Sequence, residues 1–285
     1  MNVTAASTRS LILRCLTDGM GIRATARTAG VSKGTVLRLL EDAGEFCAVF
    51  QDLALRDLPT VRAEADEVWS FCGAKEKNAK AEGHGDLWTY CALDADTKLV
   101  CTWLVGGRTP ENTEAFMADL SRRINHRIQL TVDGYGAYLS AVRKAFRWDE
   151  VDFAQVIKEL GQSHETGPSR RYSPPVVKNV HKVRVIGNPD MALANTCYVE
   201  RLNLATRQHC KRFARLTSSH SKKAENHAHA VALNFFAHNF IRVNSALSKK
   251  GEPKRTPAMA AGLTKRIWSV DDLVAAMDPK AVTVK

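Results

Sequence analysis

The order of the patterned segments in the first half of this chain constrains its fold more than any other feature. Residues 60–73, 86–93 and 99–105 carry apolar and aromatic side chains and are separated by short polar connections, which predicts three antiparallel strands. Residues 109–111 are Thr-Pro-Glu, a helix start with a capping hydroxyl and proline at the first helical position. The apolar run at 127–133 predicts a fourth strand. We therefore expect an α/β domain with a mixed sheet and flanking helices.

Three acidic residues occupy distinctive positions in this order of elements. Asp66 lies near the middle of the first predicted strand, and Asp133 ends the fourth directly before a glycine. Glu200 lies on a predicted helix over 195–212, after a possible fifth strand at 152–158. This is the ribonuclease H-like arrangement, which brings acids from the first strand, the fourth strand and a late helix together. A structural turn aspartate would give the same local pattern at Asp133.

Two neighbouring acids compete with Asp66 for the role on the first strand. Successive side chains of a strand point to opposite faces. Glu64 is therefore expected to share the face of Asp66, and Glu67 to point away from it. The alternation makes Glu64 the better substitute for Asp66.

Residues 1–57 have the pattern of a small all-α helix-turn-helix domain. Ala26 permits a close helix crossing, Gly30 tolerates the positive φ of the turn, and Ser32 is a suitable N-cap. A plain three-helix packing module would show a similar pattern. In a helix-turn-helix, the exposed front of the second helix enters the major groove. The residues expected there to contact DNA are Lys33, Gly34, Thr35 and Arg38.

Positive charge is concentrated around the predicted Glu200 helix. The formal net charge is +11, and residues 168–223 hold twelve Lys or Arg against two acids. Such a patch most often meets phosphate, although each cation alone could belong to a solvated helix face. The expected DNA-binding residues on and after this helix are Arg201, Asn203, Arg207, Lys211 and Arg212.

With these residues identified, the chain resembles the insertion-sequence-one family of bacterial DDE transposases. The resemblance is carried by the first-strand motif at 65–71, Ala-Asp-Glu-Val-Trp-Ser-Phe, and by Val-Asp-Gly-Tyr-Gly-Ala-Tyr at 132–138. It also includes Tyr-Val-Glu-Arg-Leu-Asn at 198–203 and a closing motif at 256–263. By this resemblance, Asp66, Asp133 and Glu200 are the metal-binding catalytic triad. Arg207 matches a basic position that the family places beside the DNA backbone.

The resemblance implies a defined chemistry. All-oxygen ligation favours Mg²⁺, with Mn²⁺ accepted, and two such ions would support cutting of element ends and transfer of the freed 3′-hydroxyl into target DNA. The partner would be double-stranded DNA, bound by a homodimer or a higher assembly because two ends must be cut together. A domesticated, non-cleaving DNA-binding regulator derived from a transposase remains the alternative.

The remaining features complete the expected organisation. A ribonuclease H-like domain with five strands is expected over 58–245, with a mobile basic insertion around 161–195, followed by a basic C-terminal tail at 246–285. Seven cysteines without a Cys-x-x-Cys pair predict neither a disulfide framework nor a zinc ribbon. No apolar run suggests a transmembrane segment or leader, so a cytoplasmic, nucleoid-associated protein is expected.

Overall fold

The computed structural model describes residues 4–161, 175–214, 218–248 and 251–278. Helices and strands alternate much as expected. The helices are α1 (Ala6–Thr17), α2 (Ile22–Ala29), α3 (Lys33–Ala54), α4 (Pro110–Arg122), α5 (Ala137–Ala145), α6 (Cys197–His209), α7 (Ala224–Phe236), α8 (Pro257–Ala260) and α9 (Val270–Ala276). The strands are β1 (Arg62–Cys72), β2 (Gly85–Asp94), β3 (Val100–Gly106), β4 (Ile128–Asp133), β5 (Val151–Gly161) and β6 (Val176–Ile186).

These strands form one mixed sheet in the order β3-β2-β1-β4-β5-β6. The first three strands are antiparallel, whereas β4 runs parallel to both β1 and β5. The expected mixed α/β, ribonuclease H-like fold with preceding helices is confirmed. The sheet has one strand more than predicted because β6 pairs antiparallel with β5 along its whole length. Residues 162–174, inside the expected mobile insertion, lie outside the described ranges.

The pairing of the two central parallel strands stops where the acids begin. Hydrogen-bonded pairing between β1 and β4 ends at Ala65 and Val132, and β4 itself ends one residue later at Asp133. The next residue of β1 is Asp66. The two aspartates therefore follow the last paired residues of adjacent parallel strands, a place where carboxyl-end side chains meet.

The N-terminal helices form the turn that the sequence predicted. Gly30 ends α2 in the left-handed conformation with φ of 64°, which glycine adopts without steric cost. The Ser32 hydroxyl accepts a hydrogen bond from the Thr35 N–H at 3.0 Å and caps α3. The helix continues to Ala54, well beyond these capping residues. Its second half packs against α7, which follows the sheet in the chain.

The C-terminal segment also packs on this helical layer. Trp268 contacts the rings of Phe50, Phe236 and Phe240 with centroid separations between 5.2 and 6.1 Å. The described part of the expected tail thus contains α8 and α9 and contributes to the apolar core. Among the described residues, no helix is both long and apolar enough to cross a membrane.

We predict that Gly44→Ala weakens the contact between α3 and α7. A Cβ at position 44 would lie 2.3 Å from the Cβ of His229 and 2.5 Å from its Cα, so the helices would have to separate. Overpacking of this kind costs about 1–3 kcal/mol of unfolding free energy, measurable by urea denaturation. Gly34→Ala is the matched control on the same helix, because its nearest contact would be 3.6 Å away. Equal stability of the two variants would contradict the close crossing.

Candidate active site

Asp66 is fixed by hydrogen bonds to both of its carboxylate oxygens. Its Oδ1 accepts from the N–H of Glu67 at 2.8 Å, and its Oδ2 accepts from Nδ2 of Asn203 at 2.8 Å. Asn203 lies on α6, and its own Oδ1 is 3.5 Å from the thiol of Cys91 on β2. The side chain of Asp66 is therefore oriented by β1 itself and by the late helix.

Asp133 is positioned by the turn that follows β4. Its Oδ1 accepts a hydrogen bond from the N–H of Tyr135 at 2.9 Å, an Asx-type turn within the Asp-Gly-Tyr sequence. Its backbone carbonyl accepts from the side-chain amide of Gln155 on β5 at 3.0 Å. The side chain is 38 % exposed. The carboxylate is thus held in place and still open to solvent on one side.

Glu67 joins these two aspartates, contrary to the sequence-based expectation. One carboxylate oxygen from each of Asp66, Glu67 and Asp133 lies within 4.8 Å of the others. The expectation that Glu67 points away, with Glu64 as the substitute acid, is wrong. Alternation of faces assumes a continuous sheet, but β4 ends here, so carboxylates from both faces of β1 can reach the same space.

An arginine that the sequence analysis did not single out links two of the acids. Arg108 lies 3.0 Å from Glu67 and 3.7 Å from Asp133, and its guanidinium stacks 4.0 Å from the ring centroid of Tyr135 and 4.9 Å from that of Trp88. A single arginine in a loop has no sequence signature. Only the folded chain reveals that it neutralises part of the acid cluster.

Glu200 lies near the cluster, but its carboxylate contacts residues outside the cluster. Its carboxylate accepts a hydrogen bond from Thr196 at 2.5 Å and forms an ion pair with Lys158 of β5. It is not among the acids whose oxygens lie within 4.8 Å of one another, although its charge contributes to raising the pKa of Asp66. The structure thus brings Asp66 and Asp133 together directly, and brings Glu200 only into their electrostatic neighbourhood.

Glu64 has a structural position at the start of the helix that carries Glu200. Its Oε2 accepts hydrogen bonds from the N–H groups of Tyr198 and Val199 at 2.8 and 2.9 Å. These belong to the first turn of α6, whose N–H groups have no partner within the helix. The negative charge also complements the helix dipole. Glu64 therefore anchors α6 to β1, which determines where Glu200 and Asn203 stand.

We predict that Glu64→Ala destabilises the protein, whereas Glu64→Gln does not. Alanine leaves the buried N–H of Val199 and the part-buried N–H of Tyr198 without an acceptor, at a cost on the order of 2–3 kcal/mol in urea denaturation at pH 7. Glutamine keeps an acceptor oxygen and removes a charge that is costly to bury, since burial raises the pKa of Glu64 to about 7. A Glu64→Ala protein as stable as Glu64→Gln would exclude the anchoring role.

The electrostatics of the cluster fit a divalent cation. The pKa of Asp66 is raised to about 7, with burial as the largest cause, followed by the charges of Asp133 and Glu67. Burial also raises the pKa of Glu67, and the neighbouring Arg108 opposes that shift. Carboxylates this close remain ionised together only when positive charge compensates them. The donors are all oxygen atoms, the set that Mg²⁺ or Mn²⁺ prefers over zinc.

The expected DNA-binding residues lie in two places. Lys33, Gly34 and Arg38 are exposed at the start of α3, and Thr35 is half-buried beside them. Arg201 is exposed on α6, and Arg207 and Lys211 are half-buried near its end. Asn203 is 4 % exposed and donates to Asp66, and Arg212 donates to the hydroxyl of Ser221 at 3.1 Å.

The fold is similar to that of solved transposase structures. The chain is similar to a cryo-electron-microscopy structure of the piggyBac transposase synaptic complex with hairpin DNA, with a TM-score of 0.50 and 11 % identity. The alignment covers 98 % of this chain and 72 % of that one. A crystal structure of a pre-cleavage Mos1 transpososome aligns with 83 % of this chain and 78 % of its own, at 10 % identity and a TM-score of 0.29.

A family model also matches part of the sequence. Residues 60–163 match the family model for IS1 transposase, which confirms the resemblance indicated by the motifs. The matched segment contains Asp66 and Asp133 and ends before Glu200. No curated protein matches the chain. This match supports a transposase function.

Proposed function

We propose that this protein is a Mg²⁺-dependent DDE transposase that cuts the ends of a DNA element and joins the freed 3′-hydroxyl to target DNA. The observation that carries the proposal is the meeting of Asp66 and Asp133 at the ends of paired parallel strands, with Glu67 completing an oxygen cluster within 4.8 Å. Mn²⁺ would be accepted because the ligand set is the same.

Each residue of the site has a distinct contribution in this proposal. Asp66 and Asp133 would hold the ions, and Asn203 and the Tyr135 N–H fix the orientation of their carboxylates. When bound, two ions would activate the attacking water, and later the freed 3′-hydroxyl, and would stabilise the leaving oxygen of an in-line displacement at phosphorus. Glu200 is the third proposed ligand. Lys158 neutralises it in the metal-free protein.

The proposed partner is double-stranded DNA, both element ends and target. The exposed start of α3, with Lys33, Gly34, Thr35 and Arg38, would read the major groove. Arg201, Arg207, Lys211 and Arg212 would contact phosphates. A homodimer or higher assembly in the cytoplasm, associated with the nucleoid, would pair the two ends.

The second candidate is a non-cleaving DNA-binding regulator. The ion pair between Glu200 and Lys158 favours it, because a paired glutamate is less available to a metal. The two candidates agree on DNA binding and differ only in catalysis.

The deciding experiment is a nicking and strand-transfer assay on DNA that carries the element's own flanking ends. Wild type and Glu200→Gln are compared in Mg²⁺ and in Mn²⁺, with binding of the same DNA measured in parallel. Cleavage by the wild type, lost in the variant while binding persists, supports the transposase. Binding without cleavage by either protein in both metals supports the regulator.

A further inference from the structure

A cavity of about 820 Å³ lies apart from the acid cluster, between the N-terminal helices and the end of α6. One wall comes from the α1–α2 turn, α2 and the start of α3. The other comes from residues 209–212, residues 218–223 and α7. None of Asp66, Asp133 or Glu200 lines it. We refer to this cavity as the basic groove.

The walls of the basic groove carry only positive charge. The N-terminal wall presents Arg23, Arg27 and Lys33, all of them exposed. The opposite wall presents Lys211, Arg212, Lys222 and Lys223. No aspartate or glutamate is present among the described residues that line it. Cations brought this close repel one another, so the groove is suited to a ligand that supplies several negative charges.

The cations of the N-terminal wall are not used in ion pairs within the fold. Arg23, Arg27 and Lys33 belong to none of the salt bridges found among the described residues. On the opposite wall, Arg212 is held by the hydroxyl of Ser221. The N-terminal wall of the groove thus carries cations outside the ion pairs of the described residues. The opposite wall carries the Arg212 guanidinium, which a hydrogen bond holds in position.

The floor of the basic groove is apolar. The half-buried side chains of Leu16 and Leu37 line it, together with the half-buried imidazoles of His209 and His220. A sugar-phosphate chain alone would leave this surface without a partner. An unpaired base can cover it, because base faces are apolar and stack on flat side chains.

We infer that the basic groove binds a single DNA strand, with phosphates on its two walls and unpaired bases on its floor. A volume of about 820 Å³ is that of a pocket for a small organic ligand and holds about one or two nucleotides. A duplex keeps its bases paired inside and could present only its backbone here. The inference rests on the proposed function, since cutting a strand leaves an end at which the adjacent base pairs can open.

The groove also brings together two sets of expected DNA-binding residues that lie far apart in the sequence. Lys33 belongs to the start of α3, whereas Lys211 and Arg212 follow α6. In the folded chain these residues line one cavity. A strand held there would lie between the base-reading helix and the helix that carries Glu200.

The test measures binding of fluorescein-labelled oligothymidine of about ten nucleotides by anisotropy, without metal, and of a duplex of the same length. Full-length wild type is compared with Lys211→Glu, Arg27→Glu and the charge-preserving Lys211→Arg. Arg143→Glu, on α5 and outside the groove, is the matched control. We expect each groove reversal to weaken single-strand binding at least tenfold, and each lost phosphate contact to reduce the salt slope by about 0.7. Lys211→Arg and Arg143→Glu should bind as the wild type does.

The outcomes separate this inference from the proposed function. Single-strand binding unaffected by the groove reversals overturns the inference, whether or not the wild type cuts DNA. A duplex of the same length that binds as tightly as the single strand overturns the choice of a single strand. Asp66→Asn should bind the oligonucleotide normally. Loss of cutting in that variant concerns the acid cluster alone.

Discussion

Asp66→Asn is expected to lower the rate of Mg²⁺-dependent strand cleavage by at least about a thousandfold, equivalent to about 4 kcal/mol of transition-state stabilisation. The substitution removes a charged ligand. It also disturbs the orientation of the side chain at position 66. Both oxygens of Asp66 accept a hydrogen bond, from the Glu67 N–H and from Asn203. Asparagine offers one acceptor oxygen, so one of these bonds must be lost. Single-turnover cleavage of end-labelled element DNA measures the effect.

The matched control for this prediction is Asp96→Asn. Asp96 is also an aspartate of the same domain, but it is half-exposed in the turn after β2 and pairs with Arg62. An exposed ion pair contributes little to stability, so this variant should cleave at about the wild-type rate. Cleavage by Asp66→Asn at a rate close to that of the control would remove Asp66 from the catalytic machinery.

Mg²⁺ is expected to stabilise the folded protein, and to do so more strongly at pH 8 than at pH 6. An ion at about 100 times its dissociation constant adds about 2.7 kcal/mol. The pKa of Asp66 is about 7 in the folded protein and 3.8 in a free side chain. Between these values the folded state binds more protons than the unfolded state, so the stability of the metal-free protein falls as the pH rises through 7. Above this pH an ion no longer has to displace the proton.

Thermal unfolding in Mg²⁺ and in EDTA, at both pH values, measures this effect. For a protein of this size, the expected rise in Tm at pH 8 is about 5–10 °C. Asp133→Asn is the matched variant, because it removes one ligand at the exposed side of the cluster and should abolish the Mg²⁺-dependent rise. A rise of the same size in the variant, or a larger rise at pH 6 than at pH 8, would show that the ion binds elsewhere.

The backbone order and the two aspartates could be predicted from the sequence because they depend on local patterns. An apolar run that ends in Asp-Gly defines the end of β4, and the aromatic segment around Asp66 defines β1. The turn at Gly30 and the cap at Ser32 follow from the conformational preferences of those residues. Such features do not require knowledge of distant contacts.

The remaining part of the site depends on contacts between distant segments. Arg108 reaches Glu67 from a loop 41 residues away, and Lys158 pairs with Glu200 across 42 residues. The position of Glu67 depends on where β4 stops beside β1, which no pattern within β1 records. The burial of Asn203 against Asp66 depends on how α6 is anchored by Glu64. The sequence placed Asn203 among the expected DNA-binding residues and gave no sign of this contact.

The close crossing of α3 and α7 at Gly44 and His229 has a consequence for how the protein could select the bond that it cuts. One helix extends from the exposed residues at Lys33 into the core that supports the sheet, without a flexible joint between its two halves. A protein that reads bases at one end of this helix and cuts with Asp66 would hold the two events at a set separation. The length of the helix would then set the distance between the DNA sequence that is read and the scissile bond, and this distance would determine which bond is cut.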